Sequence, residues 1–450
     1  MKVCKFGGSS LANAEQIRKV CDIVLSDPDR RIMIVSAPGK RSREDIKVTD
    51  LLIALANARI SGYDGLAELS AVVRRFADIA EELELSTDIV NEIESDLKLR
   101  IAADPGNSLK FMDSLKAAGE DNCAKLVANY LQSIGKTAQY FDPKTSGMLL
   151  TEEFGNAQVL DESYAKLALL KDYQGIVVYP GFFGYTKSGE VATFSRGGSD
   201  ITGSILAAAV EAKVYENWTD VDSVYAVNPN LINNPHAITE ITYDEMRELA
   251  YAGFTVLHEE ALTPCYRKGI PVNIRNTNNP PARGTMIVKN RINFDSIVTG
   301  IAGAKGFCTL NMSKYLMNRE VGFALRVLQI LAEEYMPFEH MPSGIDSLTI
   351  VMRQEVFTPE KEKRVIRRLV DELGMEKVSV DRNLAIVMIV GEAMAHTVGV
   401  TARAANSLSK AGVNLEIINQ GASEISVMFG IREEYCNYAV KELYKEFFLR

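Results

Sequence analysis

The sequence predicts an α/β protein in two parts: a three-layer sandwich around a mostly parallel sheet, then two small repeats. Three observations carry this reading. Strand-like and helix-like segments alternate through the first two thirds, the pattern of a parallel sheet with crossover helices. Glycine-rich and charged motifs fall where those strands should end, which is where such sheets bind ligands. From residue 297 onward the strand–helix cycle shortens, and it repeats with a period of roughly 70 residues.

Residues 2–6 read as a strand, followed by a glycine turn and a helix whose Ile17, Val20, Cys21 and Val24 share one face. A second strand over 31–36 runs into Ser36-Ala37-Pro38-Gly39. Residues 50–133 read as mostly helical, with Leu66, Leu69, Val73, Phe76, Ala80 and Leu83 as a core stripe to which no chemistry is assigned. Strands return at 137–141 and 175–180, a helix begins near Ser199, and another strand covers 213–218. The stretch 276–284, rich in asparagine and containing Pro280-Pro281, reads as the exit from a first domain spanning 1–290.

In the last third, strand 308–312, helix 319–334, paired strands 337–341 and 347–353, helix 359–373 and strand 377–381 make one β-α-β-β-α-β cycle. A second cycle runs through strand 383–390, helix 395–411, strands 414–419 and 424–431 and helix 433–447, and ends without its sixth element. This is the size and order of a ferredoxin-like module. A sheet short of one strand leaves an open edge. The segment 296–302, an orphan strand with Ile297, Val298 and Ile301, is therefore expected to pair with the second module. The two modules, 291–381 and 382–450, would then interleave.

Composition narrows the function. Of 450 residues, 47% are hydrophobic and 24% charged, the profile of a soluble globular protein. A net charge of -9 without a basic stretch disfavours nucleic acid. Apolar runs such as 385–390 are too short to span a bilayer, so no membrane partner is expected. Six cysteines without a Cys-x-x-Cys pair, and only four histidines, make a zinc site improbable. Scattered thiols and the lack of a signal peptide predict a reducing cytoplasm.

Three constellations carry chemistry. Lys5-Phe6-Gly7-Gly8-Ser9-Ser10 puts a lysine at a strand tip, then two glycines and a helix start. Glycines let a backbone approach a phosphate, and a helix N-terminus favours anions; the bland alternative is a common Gly-Gly turn. In Ser195-Arg196-Gly197-Gly198-Ser199-Asp200, Arg196 can grip a carboxylate with two hydrogen bonds and Asp200 can organise Lys5, although Ser199 or Asp200 could instead cap the helix. Trp218-Thr219-Asp220-Val221-Asp222-Ser223-Val224-Tyr225 offers an aromatic face, a hydroxyl and carboxylates that suit a nucleoside. Spacing alone does not separate that role from a polar turn with Trp218 in the core.

Taken with Val48-Thr49-Asp50-Leu51-Leu52, Gly119-Glu120 and Gly181-Phe182-Phe183-Gly184, these motifs stand in the order seen in aspartokinases. Residues 418–426, Ile-Asn-Gln-Gly-Ala-Ser-Glu-Ile-Ser, resemble the signature of that family's second ACT module. The chain thus resembles a monofunctional aspartokinase over essentially its whole length. The resemblance implies an amino-acid kinase domain followed by two ACT modules. It also implies phosphorylation of L-aspartate by ATP to 4-phospho-L-aspartate, the first step toward lysine, threonine and methionine. By family role, Lys5 neutralises the transferring phosphate and Asp200 organises that lysine. Arg196 binds the α-carboxylate of aspartate and Glu120 its ammonium. Thr49 and Ser199 hold the reacting carboxylate, and Phe182 packs on the substrate. Lys5, Gly7, Gly8, Ser9, Ser36, Trp218, Thr219, Asp220 and Tyr225 line the nucleotide site. Mg²⁺ would be held mainly by the ATP phosphates, with no protein metal cage.

The resemblance also implies feedback inhibition by lysine, alone or together with threonine, at an interface between two chains of a homodimer or dimer of dimers. Met317, Gly322, Phe323 and Ala324 correspond to the effector-binding turn and helix start. Pro337, Phe338 and Glu339 fall on the facing strand, and Ser343, Gly344, Ile345, Asp346 and Ser347 follow it. Glu339 or Asp346 can pair with an ammonium, and amides near Gly322 with a carboxylate; alternatively Glu339 merely faces solvent. Two positions depart from the family: Asn230 stands where arginine is usual in Asn228-Pro229-Asn230, and Thr255 where lysine is usual before Val256-Leu257-His258. Each removes a cation expected near the nucleotide. Two competing readings follow, another amino-acid kinase of the same fold and a catalytically weak amino-acid sensor that retains its ACT modules. The length leaves no room for a fused homoserine dehydrogenase.

Overall fold

The computed structural model of the chain describes residues 1–254 and 259–449. They form two compact units. Met1–Val224, Ala237–Met246 and the described part of 255–292 make the first; Tyr225–His236, Arg247–Phe254 and the described residues from Asn293 onward make the second. Thr255 lies outside the described residues.

The described residues of the first unit form ten strands: β1 Lys2–Phe6, β2 Arg30–Val35, β3 Ala138–Tyr140, β4 Ile176–Pro180, β5 Phe183–Tyr185, β6 Val191–Thr193, β7 Val214–Thr219, β8 Glu240–Thr242, β9 Val272–Asn276 and β10 Thr285–Val288. Eight of them form one sheet in the order β3-β4-β2-β1-β7-β9-β10-β8, and β5 pairs with β6 in a separate hairpin. From β3 to β9 the neighbours are parallel, while β10 is antiparallel to β9. The turn-rich 276–284 is therefore not an exit from the domain, because it joins β9 to β10 inside the same sheet.

Long helices come from the middle of this unit: α1 Ala14–Leu25, α2 Val48–Ile60, α3 Leu66–Glu82, α4 Thr87–Ile101 and α5 Ser108–Ser133. Short α6 Pro143–Ser146 and α7 Glu162–Leu167 precede α8 Gly198–Ala209; α9 Tyr243–Tyr251, whose residues from Arg247 onward count with the second unit, and α10 Thr263–Lys268 follow. The apolar stripe on α1 is fully buried at Ile17 and Val20. On α3 the expected stripe needs one correction. Leu69, Phe76, Ala80 and Leu83 are buried together with Val72 and Ile79, but Leu66 is 60% exposed. Leu66 is the first residue of the helix, ahead of the turns that pack.

The second unit is organised around two strands of 14 residues, β11 Gly300–Ser313 and β13 Lys377–Val390. With β12 Ser347–Arg353, β14 Ile417–Gln420 and β15 Ser426–Arg432 they form one sheet, ordered β12-β11-β13-β15-β14. Helices α11 Phe323–Glu333, α12 Pro359–Leu373, α13 Val400–Lys410 and α14 Cys436–Phe448 cover it. The segment expected as an orphan strand is continuous with the one expected at 308–312. Its first half, Gly300–Lys305, pairs with Ala385–Val390, and its second half, Phe307–Ser313, pairs with β12 and with 377–384. The register shifts where Gly306 takes φ +84, a left-handed conformation that glycine adopts without strain. Residues 337–341 do not form the expected strand; they run beside β12 through isolated bridges at His340–Val351 and Ser343–Leu348.

Beneath β1 and β7 lies a buried charge cluster. Glu216, 1% exposed, accepts from Arg30 Nε at 2.8 Å and from the Trp218 indole N–H at 3.0 Å. Lys2 Nζ and Arg275 Nη1 stand 3.3 and 3.7 Å from the same carboxylate. Burial pushes the Glu216 carboxyl up, but Arg30, Lys2 and the indole outweigh it and hold the group below the ordinary glutamate value. Glu216→Ala strands the buried Arg30 guanidinium and is expected to cost about 3–5 kcal/mol, measured by urea unfolding at neutral pH. Because the folded-state value is depressed, the contribution is complete above a pH of about 4.3 and fades as pH falls through the folded value. The variant should therefore approach wild-type stability only in acid.

Candidate active site

Register decides where the site forms. Phe6 pairs with Val35 on one side and Trp218 on the other, and Val35 pairs with Pro180. Strands β1, β2, β4 and β7 therefore end at one level. The chain order also reverses there, since β2 lies on one side of β1 and β7 on the other.

Lys5, the penultimate residue of β1 and 8% exposed, places Nζ 2.6 Å from Asp200 Oδ1. Asn217 on β7 donates to the same oxygen at 2.8 Å, and Tyr215 OH donates to the Asp200 carbonyl at 3.2 Å. The N-cap of α8 is Gly197, at φ +81 and without a side-chain cap bond. The alternative in which Ser199 or Asp200 caps the helix is thus not realised, and the Asp200 carboxylate is committed to Lys5 and Asn217. Gly7 donates to the Trp218 carbonyl at 3.1 Å.

Close backbone approach explains the glycines. A Cβ on Gly39 would lie 2.6 Å from the Gly8 carbonyl, and one on Gly119 would lie 2.8 Å from Ala37 Cβ. Missing side chains thus let α5 and the loops after β1 and β2 meet, which sets Glu120 beside them. Gly181 likewise admits Ser199, whose Oγ would be 2.7 Å from an added Cβ; Gly198 admits the Phe182 ring at 2.5 Å. Phe182 adopts φ +77, a strained conformation for a side chain of this size, and its amide donates to Thr202 Oγ1 at 2.9 Å.

Glu120 is 6% exposed, and its Oε2 has no hydrogen-bond partner among the described residues. Burial pushes its carboxyl up to about 8, against the opposing pull of the Ala37 amide, Lys116 and Lys5. A buried carboxyl with one oxygen left unpaired can take a cationic group. Thr49 is half-buried at the start of α2, Ser36 half-buried just after β2, and Ser9, Arg196 and Asp220 are exposed. Thr219 Oγ1 donates to Asp220 Oδ1 at 3.2 Å.

Trp218 requires a correction. Its ring is fully buried, stacks on Phe6 with centroids 6.0 Å apart, and packs against the Arg30 and Arg275 guanidinium carbons at 5.2 and 4.6 Å. The core role prevails, and the ring offers no face to a nucleoside. Tyr225 and Asn230 belong to the second unit; Asn230 is exposed.

Sequence reasoning passed over Lys116 and Asn217, and it counted Asp222 only among the carboxylates of the loop after β7. Asn217 follows the Lys5 pairing register, and Asp222 accepts from Asn276 and Asn279 at 2.8 and 3.0 Å. The signal for Lys116 was its spacing, one helical turn before Glu120 on α5.

The expected effector residues lie in the second unit. Gly322, at φ +75, precedes α11; Phe323 and Met317 are buried, Ala324 half-buried, and Pro337, Phe338, Ser343, Gly344 and Ser347 exposed. Lys314 and Asn318 donate backbone bonds to Asp346 and Ile345 at 3.0 and 3.2 Å, which tie the two loops together. The two candidate carboxylates differ. Glu339 stands 3.6 Å from Arg353 Nε, whereas Asp346 Oδ1 is buried without a hydrogen-bond partner among the described residues.

Comparison with known proteins agrees with this geometry. Residues 1–276 match the model of the amino acid kinase family and 387–447 that of the ACT domain. Aspartokinase 3 of Bacillus subtilis is 53% identical over 100% of this chain and 99% of its own. The crystal structure of aspartate kinase from Clostridium acetobutylicum superposes with a TM-score of 0.87 at 38% identity, covering 99% of this chain and 100% of that one. E. coli aspartokinase III gives 0.79 at 26% identity in complex with aspartate and ADP, covering 99% of each chain. With lysine and aspartate it gives 0.75 at 27%, covering 100% of this chain and 99% of that one.

Gly39→Ala should cost about 1–3 kcal/mol in urea unfolding, because the added methyl meets backbone rather than a movable side chain. An unchanged midpoint would show that the Gly8–Gly39 approach is looser than described.

Proposed function

We propose the following from the premise that this chain belongs to the aspartokinases of the amino acid kinase family. It transfers the γ-phosphoryl group of ATP to the side-chain carboxylate of L-aspartate, and lysine inhibits it allosterically. The observation that carries the site assignment is the 2.6 Å pair between Lys5 and Asp200 at the aligned strand ends.

Two anions must approach in line, so fixed cations and backbone donors have to offset their repulsion. Lys5 supplies the charge for the transferring phosphoryl group, and Asp200 with Asn217 fixes its direction. Aspartate needs no strong base, because its carboxylate is ionised at neutral pH. Glu120 receives the ammonium of aspartate; its buried, unpartnered oxygen supports this role. Arg196 takes the α-carboxylate, Thr49 and Ser199 hold the reacting one, and Phe182 packs on the substrate. Gly7, Gly8, Ser9, Ser36, Thr219 and Asp220 line the nucleotide site. Mg²⁺ enters with ATP, held mainly by its phosphates. Asp200 and Asp220 are hard oxygen donors that suit such an ion, which supplies charge neutralisation of the phosphates.

The regulatory site is read as one in which lysine, alone or with threonine, binds the first ACT module between two chains. Its support is the free oxygen of Asp346, which makes Asp346 rather than Glu339 the partner of the effector's ammonium. Exposed Tyr315, Val321, Leu325 and Ile345, with 70, 97, 70 and 72% of their surface in solvent, support burial against a second copy in a homodimer or dimer of dimers. No described helix is long and apolar enough to cross a membrane, and all six cysteines are free and buried. The unpaired thiols support a cytoplasmic location.

Lys5→Ala and Asp200→Ala should each lower turnover by at least about a hundredfold, followed as ADP release with aspartate. Near-normal turnover in Lys5→Ala would refute the phosphate role. Asp346→Ala should raise the lysine concentration for half-inhibition by at least about tenfold and Glu339→Ala by less, since only the former removes an unpaired carboxylate. The reverse order would reassign the ammonium to Glu339.

A further inference from the structure

Beside the residues already assigned, α5 carries a lysine that is anchored by Asp113 and Thr193 and lies against Phe182 of the aspartate subsite. Lys116 Nζ pairs with Asp113 Oδ1 at 2.9 Å, reaches Thr193 Oγ1 at 3.2 Å, and lies 5.6 Å from the centroid of the Phe182 ring. Its side chain is 17% exposed, so little water screens its charge. The anchor is rigid. Asp113, 1% exposed, accepts from the amides of Gly155 and Thr193 at 2.7 and 2.8 Å and from Thr193 Oγ1 at 2.8 Å. Phe182 has the first turn of α8 against its ring at Gly198. Lys116 also precedes Glu120 by four residues on one helix, so the two side chains share a face.

We propose that Lys116 is a positioning residue for aspartate, holding the Phe182 ring in place and keeping Glu120 available as a carboxylate for the substrate's ammonium. This rests on the reading that Glu120 and Phe182 serve the aspartate subsite. Glu120 is faced by Lys116 and the neutral Cys123 thiol from its own helix, by Lys5 from β1 and by the Ala37 amide from the loop after β2. Each lysine also carries a carboxylate, Lys5 that of Asp200 at 2.6 Å and Lys116 that of Asp113 at 2.9 Å. Loss of Lys116 leaves the burial of Glu120 opposed by backbone amides, that of Ala37 first, and by Lys5 as the one remaining cation of the two. The carboxyl, which burial already pushes up to about 8, then becomes harder still to ionise, and a smaller share of it meets the ammonium of aspartate as a carboxylate near pH 7. The sign is fixed: removing a nearby cation moves a carboxyl's titration upward.

The test is the pH dependence of kcat/KM for aspartate in Lys116→Met, Lys116→Arg and Glu120→Gln, with thermal unfolding to verify that each variant is folded. In the wild type the ascending limb reports Glu120. In Lys116→Met it should move up by about one pH unit, so that the aspartate KM near pH 7 rises about tenfold, more than kcat falls. Lys116→Arg, which keeps the charge and the ring contact, should restore both. A folded Lys116→Met with an unmoved limb and an unchanged aspartate KM overturns the proposal, because a purely structural lysine would not shift a titration. If Glu120→Gln loses aspartate affinity while Lys116→Met does not, only this inference falls. If Glu120→Gln keeps wild-type aspartate affinity, the ammonium reading fails and takes this inference with it.

Discussion

Lys5 can reach Asp200 because strands β1 and β7 end at the same level and α8 begins directly over that edge. The ammonium must be held, since a phosphoryl group stabilised by a mobile charge loses the benefit of preorganisation. Asn217 on the neighbouring strand and the first turn of α8 hold the carboxylate, and the carboxylate holds the lysine. Most other features near the strand ends serve that geometry by staying out of its way. Gly8, Gly39, Gly119 and Gly181 each occupy a place where a Cβ would push a loop or a helix back from the edge.

The same two strands are tied together a few ångströms below. Glu216 draws Arg30, Lys2 and the Trp218 indole into one buried cluster, with Arg275 close by. A buried ion pair seldom adds net stability over well-packed apolar groups, but separating its partners leaves an uncompensated buried charge. A one-residue slip of β1 against β7 would place Lys5 on the wrong face of the sheet and would strand the cluster's charges. The buried cluster and the Lys5–Asp200 pair thus depend on one register, set by residues that alternate along β7: Glu216 and Trp218 on one face, Tyr215 and Asn217 on the other.

Much of this was legible in the sequence. Strand–helix alternation gave the sheet, helical spacing gave the packed face of α1, and Lys5, Glu120 and Asp200 stood out by chemistry and context. What stayed illegible was decided by long-range contact. Whether Trp218 served a ligand or the core depended on Arg30 and Arg275, 188 residues before it and 57 after. Strands β8 and β10 are only three and four residues long, too short for periodicity to register. Residues 337–341 carry strand-like composition, but Pro337 and Pro342 flank a stretch that keeps only isolated bridges. Lys116 was invisible because its role comes from Asp113 and Phe182, one on its own helix and the other far along the chain. Spacing could place it beside Glu120 but could not say what it touched.

The continuity of β11 and β13 bears on how an effector could act. Each strand passes through both ACT modules, so a single hydrogen-bonded ladder serves two helical layers, broken in register only near Gly306. Sliding one module against the other would require the ladder to shear across many bonds at once, whereas a change of angle at the break disturbs few of them. On the proposed effector site, a ligand at Asp346 and the start of α11 would act on the Phe307–Ser313 half of β11, which joins the Gly300–Lys305 half through Gly306 and through the facing strand β13. A bound amino acid can select between two arrangements only by binding one of them better. A continuous strand with one flexible point concentrates that difference at a single place, so regulatory strain in this unit should collect at Gly306 and at Asn383, which takes φ +59 on the facing strand.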